Sequence, residues 1–581
     1  MTFIIDSYKY AGDTRLITKW TLSDPADLVL ELWGQTAGTS TYNYDVDWGD
    51  GSAVETGITI SNKSHTYAST GTYEVKIAGQ FAGFQMNRGS AADKAKLVEL
   101  VQWGSETEIN SLYFAFNSCS NMVYTATDAP DISNLSGSTS MQSAFKNCTS
   151  ITSLDLSGWT NTGNITNMYE TFFTLSSCTL LDLTGWDTSN VTTFQSGARS
   201  CGTSGGGMKL VKPNLNWSAA SSPSNLYQTF IYSVFSEAPV LTGWTLPTAH
   251  NVNLGYTFYA CDGEFALDLS GWTNTNKITD MNRFTMNCEF TSIDITGWNT
   301  SSCTNLAYCF NGMTKLTHIT GLNTLNSSGL TNVVGIDSMF RGTSILNFGA
   351  AGSVTNFGTN WGANLSTAST VGASFMFHTS GISVVGGATP PDVSNWDMSG
   401  IVKCYQMFLD TEWNAALDFS NWDLSGLTAS NGLDYFLYYN EGTAVVDFTN
   451  ADLPSTLTSF IYVFAYSEVT TVTWGSGCDF SNITTLNYHA YSADITSYSF
   501  PTNADFSALA IGTQFLSHSQ TMGTANYDNF LTRMDATWVD PGSFSGTLSM
   551  GVSKYTGGGA VATARANLIA AGWTIADDGI A

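Results

Sequence analysis

Leu154-Asp155-Leu156-Ser157-Gly158-Trp159-Thr160-Asn161-Thr162-Gly163-Asn164-Ile165-Thr166-Asn167-Met168-Tyr169-Glu170-Thr171-Phe172-Phe173 is the stretch that this chain keeps rewriting. It reads as a short strand, a tight turn at Gly158-Trp159, an Asn/Thr-rich corner, and a short helical or irregular return. Leu181-Asp182-Leu183-Thr184-Gly185-Trp186 and Leu267-Asp268-Leu269-Ser270-Gly271-Trp272 open further copies. Ile293-Asp294-Ile295-Thr296-Gly297-Trp298 and Leu417-Asp418-Phe419-Ser420-Asn421-Trp422 open two more. Trp159, Trp186, Trp217, Trp244, Trp272 and Trp298 lie 27, 31, 27, 28 and 26 residues apart. A period in the twenties headed by Leu-x-Leu predicts a solenoid. One such unit cannot bury its apolar edge alone, so it must stack on its neighbours.

Length and composition agree. At 581 residues the chain exceeds one ordinary compact core, a limit that a repeat array escapes. Aromatics make up 13% and charged residues 12%, which excludes a disordered chain and suits a turn-rich β protein. With 20 Lys+Arg against 47 Asp+Glu the net charge is −27, which disfavours nucleic acid and anionic membrane as partners. It favours solubility. Met1-Thr2-Phe3-Ile4-Ile5-Asp6-Ser7 shows no basic region followed by an apolar run, so no signal peptide is expected. No stretch approaches the length of a transmembrane span.

Residues 1–85 lack the repeat and alternate as strands do, in Leu28-Val29-Leu30-Glu31-Leu32-Trp33 and Thr72-Tyr73-Glu74-Val75-Lys76-Ile77. Between them lie Asp45-Val46-Asp47-Trp48-Gly49-Asp50-Gly51-Ser52 and His65-Thr66-Tyr67. With Gly71 and Tyr73, these residues resemble the PKD (polycystic kidney disease) family of immunoglobulin-like sandwiches. The resemblance implies adhesion or spacing. Asp45, Asp47 and Asp50 do not follow EF-hand spacing, so turn chemistry is expected of them rather than calcium.

The expected organisation is mainly β: a PKD/immunoglobulin-like sandwich over 1–85, a leucine-rich-repeat-type solenoid over 86–520, and a C-terminal cap over 521–581. Lys96-Leu97-Val98-Glu99-Leu100-Val101-Gln102-Trp103 reads as the first coil, and residues 349–390 as an insertion or worn coil. The cap contains the best helix pattern in the chain, Ala560–Ala571, stopped by Gly572 and followed by Trp573-Thr574-Ile575 as a last strand.

The L-D-L-S-x-W head, with tails such as Met141-Gln142-Ser143-Ala144-Phe145-Lys146-Asn147-Cys148 and Phe258-Tyr259-Ala260-Cys261, resembles the BspA-type leucine-rich repeats of bacterial surface proteins and bacteriophages. That resemblance covers most of residues 95–580. It implies one strand per coil and a role in attachment, without naming a ligand.

Two columns of side chains bear on chemistry. Cys119, Cys148, Cys201, Cys261 and Cys288 share a slot that Thr343, Thr411 or Met313 fills in other coils. A disulfide or metal site would not tolerate Thr and Met, so these cysteines are read as core. The second column is the acidic residue between the two leucines, which alternation places on the solvent face. It contains Glu99, Asp131, Asp155, Asp182, Asp268, Asp294, Asp392, Asp418 and Asp447, interrupted at Pro213, Val240, His318 and Asn347. Like charges about 4.8 Å apart repel by roughly 1 kcal/mol even in water. Cations such as Ca2+, raised pKa values, or Ser/Thr hydrogen bonds must offset this. One reading makes the column, His318 included, a binding face for a host-surface glycan or protein; the other makes it a row of turn acceptors.

The six histidines are scattered, and neither a nucleophile elbow nor a phosphate loop occurs. A flat repeated face lacks a unique cleft to separate two carboxylate pKa values, so no enzyme and no resident cofactor is expected. The expectation is a bacteriophage virion protein (tail fibre, receptor-binding or capsid decoration), docked to other virion proteins by its N-terminal domain. Homo-oligomerisation is left open. A bacterial cell-surface adhesin or an intracellular protein-binding scaffold stands as the alternative.

Overall fold

The computed structural model describes residues 12–36, 41–135, 141–203, 205–211, 216, 224–322, 335–345, 371–381, 387–394, 396, 398–516, 520–540, 542 and 546–581. Met1–Ser7, Pro213, Trp217, Asn347 and much of the expected worn coil at 349–390 lie outside them. The chain divides into two compact units, Met1–Ile278 with Cys288–Phe290, and Thr279–Asn287 with Thr291–Ala581. The structure is mainly β, and parallel solenoid coils occur in each unit.

The first unit opens with β1 (Leu16–Leu22), β2 (Val29–Trp33), β3 (Tyr42–Asp47), β4 (Glu55–Ile58), β5 (Asn62–Thr66) and β6 (Gly71–Phe81). β2 and β5 form one antiparallel pair. The larger sheet runs β4-β3-β6-β1 and then continues past residue 85, because β1 also pairs antiparallel with β7 (Leu97–Gln102). A six-residue helix, Ala91–Lys96, leads into β7 and is fixed by a Ser90/Asp93 capping box. β7 pairs in turn with Val123–Tyr124, now in parallel. One sheet therefore joins the antiparallel part to the first coil.

Within the first unit's coils, Ser153–Asp155, Leu180–Asp182 and Lys209–Val211 stack in parallel, with Leu154, Leu181 and Leu210 in register and buried. In the second unit Val445–Phe448, Thr471–Trp474 and Ser497–Ser499 do the same. The described repeat tryptophans lie inside. Trp159 and Trp186 stack 5.7 Å apart, and Trp186 Nε1 donates to the Leu156 carbonyl at 2.9 Å. Trp422 Nε1 donates to the Val393 carbonyl at 2.8 Å in the second unit. Trp186 and Trp422 thus fill the core and satisfy their own N–H groups on a neighbouring coil.

All ten cysteines are buried and free. Cys148, Cys201 and Cys261 place Sγ 3.0, 3.0 and 2.9 Å from the carbonyls of Phe116, Phe172 and Phe230, one coil earlier. Thr411, in the same slot, turns its hydroxyl to its own Phe408 carbonyl at 2.9 Å. Cys and Thr both suit the slot as small side chains that face a carbonyl, whereas Met313 fills it and accepts from the Thr285 hydroxyl at 3.2 Å.

The cap holds the expected helix, Gly559–Ala570, and the strand Thr574–Ala576, which pairs parallel to Thr547–Met550. A further helix, Thr524–Thr537, buries Tyr527, Phe530, Leu531 and Met534. No described helix is long and apolar enough to cross a membrane.

Candidate functional site

The acidic column is partly assembled. Asp155 and Asp182 face each other directly across two parallel strands. Each is occupied by its own turn: the N–H of Ser157 donates to Asp155 Oδ1 at 3.0 Å and that of Thr184 to Asp182 Oδ1 at 2.8 Å. The same bond recurs from Ser133 to Asp131, Ser270 to Asp268, Thr296 to Asp294, Ser394 to Asp392, Ser420 to Asp418 and Thr449 to Asp447. These are Asx turns, and at Asp155, Asp392 and Asp447 the Ser or Thr hydroxyl two residues on donates to the same carboxylate oxygen. Asp47 and Asp50 likewise accept from Gly49 and Ser52, whereas Asp45 accepts from the N–H of Gly57 on the paired strand.

Three expected members leave the column. Glu99 is paired in register with Val123, and its carboxylate binds Lys19 Nζ at 2.6 Å and the Thr125 hydroxyl at 2.7 Å. Asp131 bridges to Glu108. His318 stands opposite Ser292, while Thr320 takes the place opposite Asp294. Aligning Gly321 with Gly297 puts His318 beside Asp294. In the structure the strand-to-turn segment of that coil is two residues shorter, and the whole register moves. At Asp447 the column also ends in neutral neighbours, since Thr473 lies opposite it and Ser499 follows. A shallow groove of about 300 Å³ beside Asp155 is lined by Tyr124, Asp128, Ser153 and Trp159. Asp128 is itself spent on the N–H groups of Trp103 and Gly104. Among the described residues no group of three His, Cys, Asp or Glu could hold a metal ion.

A different face carries the unspent chemistry. The tail of each coil is a run of turns in which two positions, four residues apart, adopt left-handed backbone: Tyr435 (φ 58°) and Tyr439 (φ 53°), Tyr462 (φ 55°) and Tyr466 (φ 57°), Tyr488 (φ 54°) and Ser492 (φ 55°). For a non-glycine residue this costs about 1–2 kcal/mol. Hydrogen bonds to the next coil offset it. The N–H groups of Tyr435, Leu437 and Tyr439 donate to the carbonyls of Ile461, Val463 and Ala465 at 3.0, 2.8 and 3.0 Å. Phe436, Tyr438 and Asn440 between them donate three residues back in their own coil. The alternation turns Leu433, Phe436 and Leu437 inward and leaves Tyr435, Tyr438 and Tyr439 facing out.

Stacking the coils brings these tyrosines together in the second unit. Tyr405, Tyr435, Tyr462 and Tyr488 form one row, with centroids 5.9, 5.0 and 4.9 Å apart. Tyr439 and Tyr466 form a second row, 4.7 Å apart and 7° from parallel. Tyr438 stands edge-on to Tyr439, Tyr462 and Tyr466, and Tyr491 to Tyr466 and Tyr488. Tyr439 and Tyr466 are 46% and 36% exposed; the other six are half-buried. Burial and neighbouring phenols push the Tyr438 hydroxyl up to about 12, so that phenol is un-ionised at neutral pH.

Carboxylates border it. Asp410 precedes Tyr439 on the same turn position, Glu412 bridges to Glu441, and Glu468 accepts from the Gly442 N–H at 2.7 Å. Burial, then the charges of Glu412, Glu468 and Asp410, raise the pKa of Glu441. Asp434 and Asp337 lie deeper, and burial pushes each up to about 6.

Residues 110–202, 252–377 and 364–436 match a family model described as Mycoplasma protein of unknown function, DUF285. No curated protein and no solved structure matches the chain. The described residues of the matched segments lie in coils, whereas Tyr438, Tyr439, Tyr462, Tyr466, Tyr488 and Tyr491 lie beyond residue 436. The cluster was not anticipated from the sequence. The signal was present as Tyr435-x-x-Tyr438-Tyr439, Tyr462-x-x-x-Tyr466 and Tyr488-x-x-Tyr491 at one repeat position.

Proposed function

We propose that this chain is a non-enzymatic attachment protein whose stacked coils support a recognition face. The observation that carries this reading is the cluster of eight outward tyrosines on a hydrogen-bonded turn ladder. Tyrosine gives a large amphipathic contact area at low entropic cost, and its enrichment at interfaces follows from that. The backbone ladder holds the rings in place before any partner arrives, so little ordering remains to be done on binding. The aspartate column, with its carboxylates committed to Asx turns, is assigned to structure.

On this reading the N-terminal sheets, which resemble a PKD-like sandwich in their Trp48, Asp50, His65 and Tyr67 constellation, dock the protein to a bacteriophage particle. Trp48 stacks on His65 at 4.8 Å, His65 Nε2 lies 2.8 Å from Asp50, and the Tyr67 hydroxyl donates to the Trp48 carbonyl at 2.9 Å. Those contacts fix the turn and favour a rigid module. The test is mass spectrometry of purified particles with antibody-gold imaging. Label at the tail supports host recognition and label on the capsid supports decoration; absence from particles overturns the virion assignment. A bacterial surface adhesin is the second reading, favoured by the family description, which names a bacterium.

A further inference from the structure

We propose that the tyrosine cluster from Tyr435 to Tyr491 is the docking surface for a lysine- and arginine-rich surface of a protein partner. Three observations converge on a cationic occupant. Elsewhere on the turn ladders the rings carry cations from the chain itself. In the first unit Lys146 lies 4.6 Å from the Phe173 centroid, and Arg199 lies 5.2 and 5.7 Å from Phe173 and Tyr232. In the second unit Arg283 sits over Tyr308 at 4.5 Å, Arg341 over Phe375 at 5.5 Å, and Lys403 over Tyr405 at 4.9 Å. The ladder geometry therefore accepts cations against its rings.

Beyond Lys403 that supply stops. The chain contains no Lys or Arg until Arg533, and thirteen Asp and Glu lie between them. The whole tyrosine cluster falls inside this segment, bordered by Asp410, Glu412, Glu441 and Glu468. Charge of one sign beside an exposed aromatic patch steers and orients a partner of the other sign.

The ring packing distinguishes this from sugar binding. Tyr435, Tyr462 and Tyr488, and separately Tyr439 and Tyr466, cover one another's faces. What they offer outward is a rim of phenol oxygens, which accept hydrogen bonds from guanidinium and ammonium groups, so that a cation here meets oxygen rather than a stacked ring face. A pyranose would need open faces on which to stack. Tyrosine and arginine are also the residues over-represented at the energetic centres of protein interfaces.

This deepens the attachment reading and rests on it only for biological purpose. The test is made in solution on the full chain, so its failure is separate from absence on particles. Fluorescent nona-arginine and nona-lysine peptides and labelled dextran are titrated at low and physiological salt. The arginine peptide is expected to bind the wild type. The triple variant Tyr438→Ser, Tyr439→Ser, Tyr466→Ser keeps the net charge and is expected to bind at least tenfold more weakly. Glu412→Gln, Glu441→Gln, Glu468→Gln is expected to lose a similar factor. Asp418→Asn, Asp447→Asn, Asp479→Asn removes the same charge elsewhere and is expected to stay within twofold. Thermal melts check folding, and Tyr→Phe at the same three positions replaces the Ser variant if that variant melts early. Equal binding by the tyrosine variants, or by neither peptide to the wild type, overturns the proposal. Tyrosine-dependent dextran binding without peptide binding replaces it with a glycan site.

Discussion

Asp155 and Asp182 stand directly opposite each other on adjacent parallel strands, and each holds the backbone N–H two residues along its own chain. Charges so close repel by roughly 1 kcal/mol in water, yet each carboxylate is needed as a turn acceptor. Asparagine keeps the acceptor and removes the charge. Asp155→Asn is therefore expected to leave the thermal midpoint unchanged or to raise it, whereas Asp155→Ala is expected to cost about 1 kcal/mol through loss of the Asx hydrogen bond. Thermal denaturation of the two variants side by side decides this. A lower midpoint for Asn than for Ala would show that the charge itself is required.

The cysteine ladder makes a second prediction. Burial pushes the Cys148 and Cys261 thiols well above their usual range, and no cysteine reaches solvent. Native protein is expected to react with a thiol-specific reagent at none of its ten cysteines over minutes at pH 8, and at all ten in denaturant. Rapid labelling of Cys119 or Cys148 in native protein would contradict the inward ladder.

Acid stability is expected to depend on His489. Its ring is fully buried between Phe460 and Phe464, with Nδ1 3.1 Å from the Phe460 carbonyl and Nε2 2.7 Å from the Tyr498 hydroxyl. Trp474 Nε1 donates to that same hydroxyl oxygen at 2.8 Å. Burial lowers the imidazole from 6.5 to about 3. The unfolded chain takes up the proton first as pH falls below 6.5, so stability is lost from there down to about pH 3. The full effect is on the order of 5 kcal/mol. His489→Gln is expected to start less stable at neutral pH and to flatten this dependence, read as thermal midpoint against pH.

Asp434 works in the opposite sense. It accepts from the Ser459 hydroxyl and the Ile461 N–H at 2.9 Å, but burial still raises it from 3.8 to about 6. The folded state binds the proton first, so this group destabilises the protein above about pH 6 and the penalty is relieved as pH falls towards 3.8. Its size is about 3 kcal/mol. The difference in midpoint between Asp434→Asn and wild type should accordingly be larger at pH 8 than at pH 4. A pH-independent difference would place the carboxyl in a wetter setting.

Legibility differed between inside and outside. Leu154, Trp159, Met168 and Phe172 recur because each must fill a core position, and a core position tolerates few alternatives; the solenoid and the buried cysteine slot follow from them. The terminal helix Gly559–Ala570 was legible from its composition and its Gly572 stop. The helix Thr524–Thr537 is harder to read in the sequence, although Tyr527, Phe530, Leu531 and Met534 keep an i, i+3, i+4, i+7 stripe. Its Asn, Asp and Thr residues resemble the surrounding turns and mask that period.

Sequence alone determined which residues point in and which point out, because alternation along a strand and the period of the coil are local properties of the chain. It also determined the charge, including the cation-free segment between Lys403 and Arg533. Only the tertiary structure decided which outward residues become neighbours. Coils of unequal length shift the register, so His318 meets Ser292 rather than Asp294. Tyr438 reaches Tyr466 because hydrogen bonds between successive coils set that register. A side chain's face is fixed by its own backbone; its partners are fixed by where the next coil comes to rest.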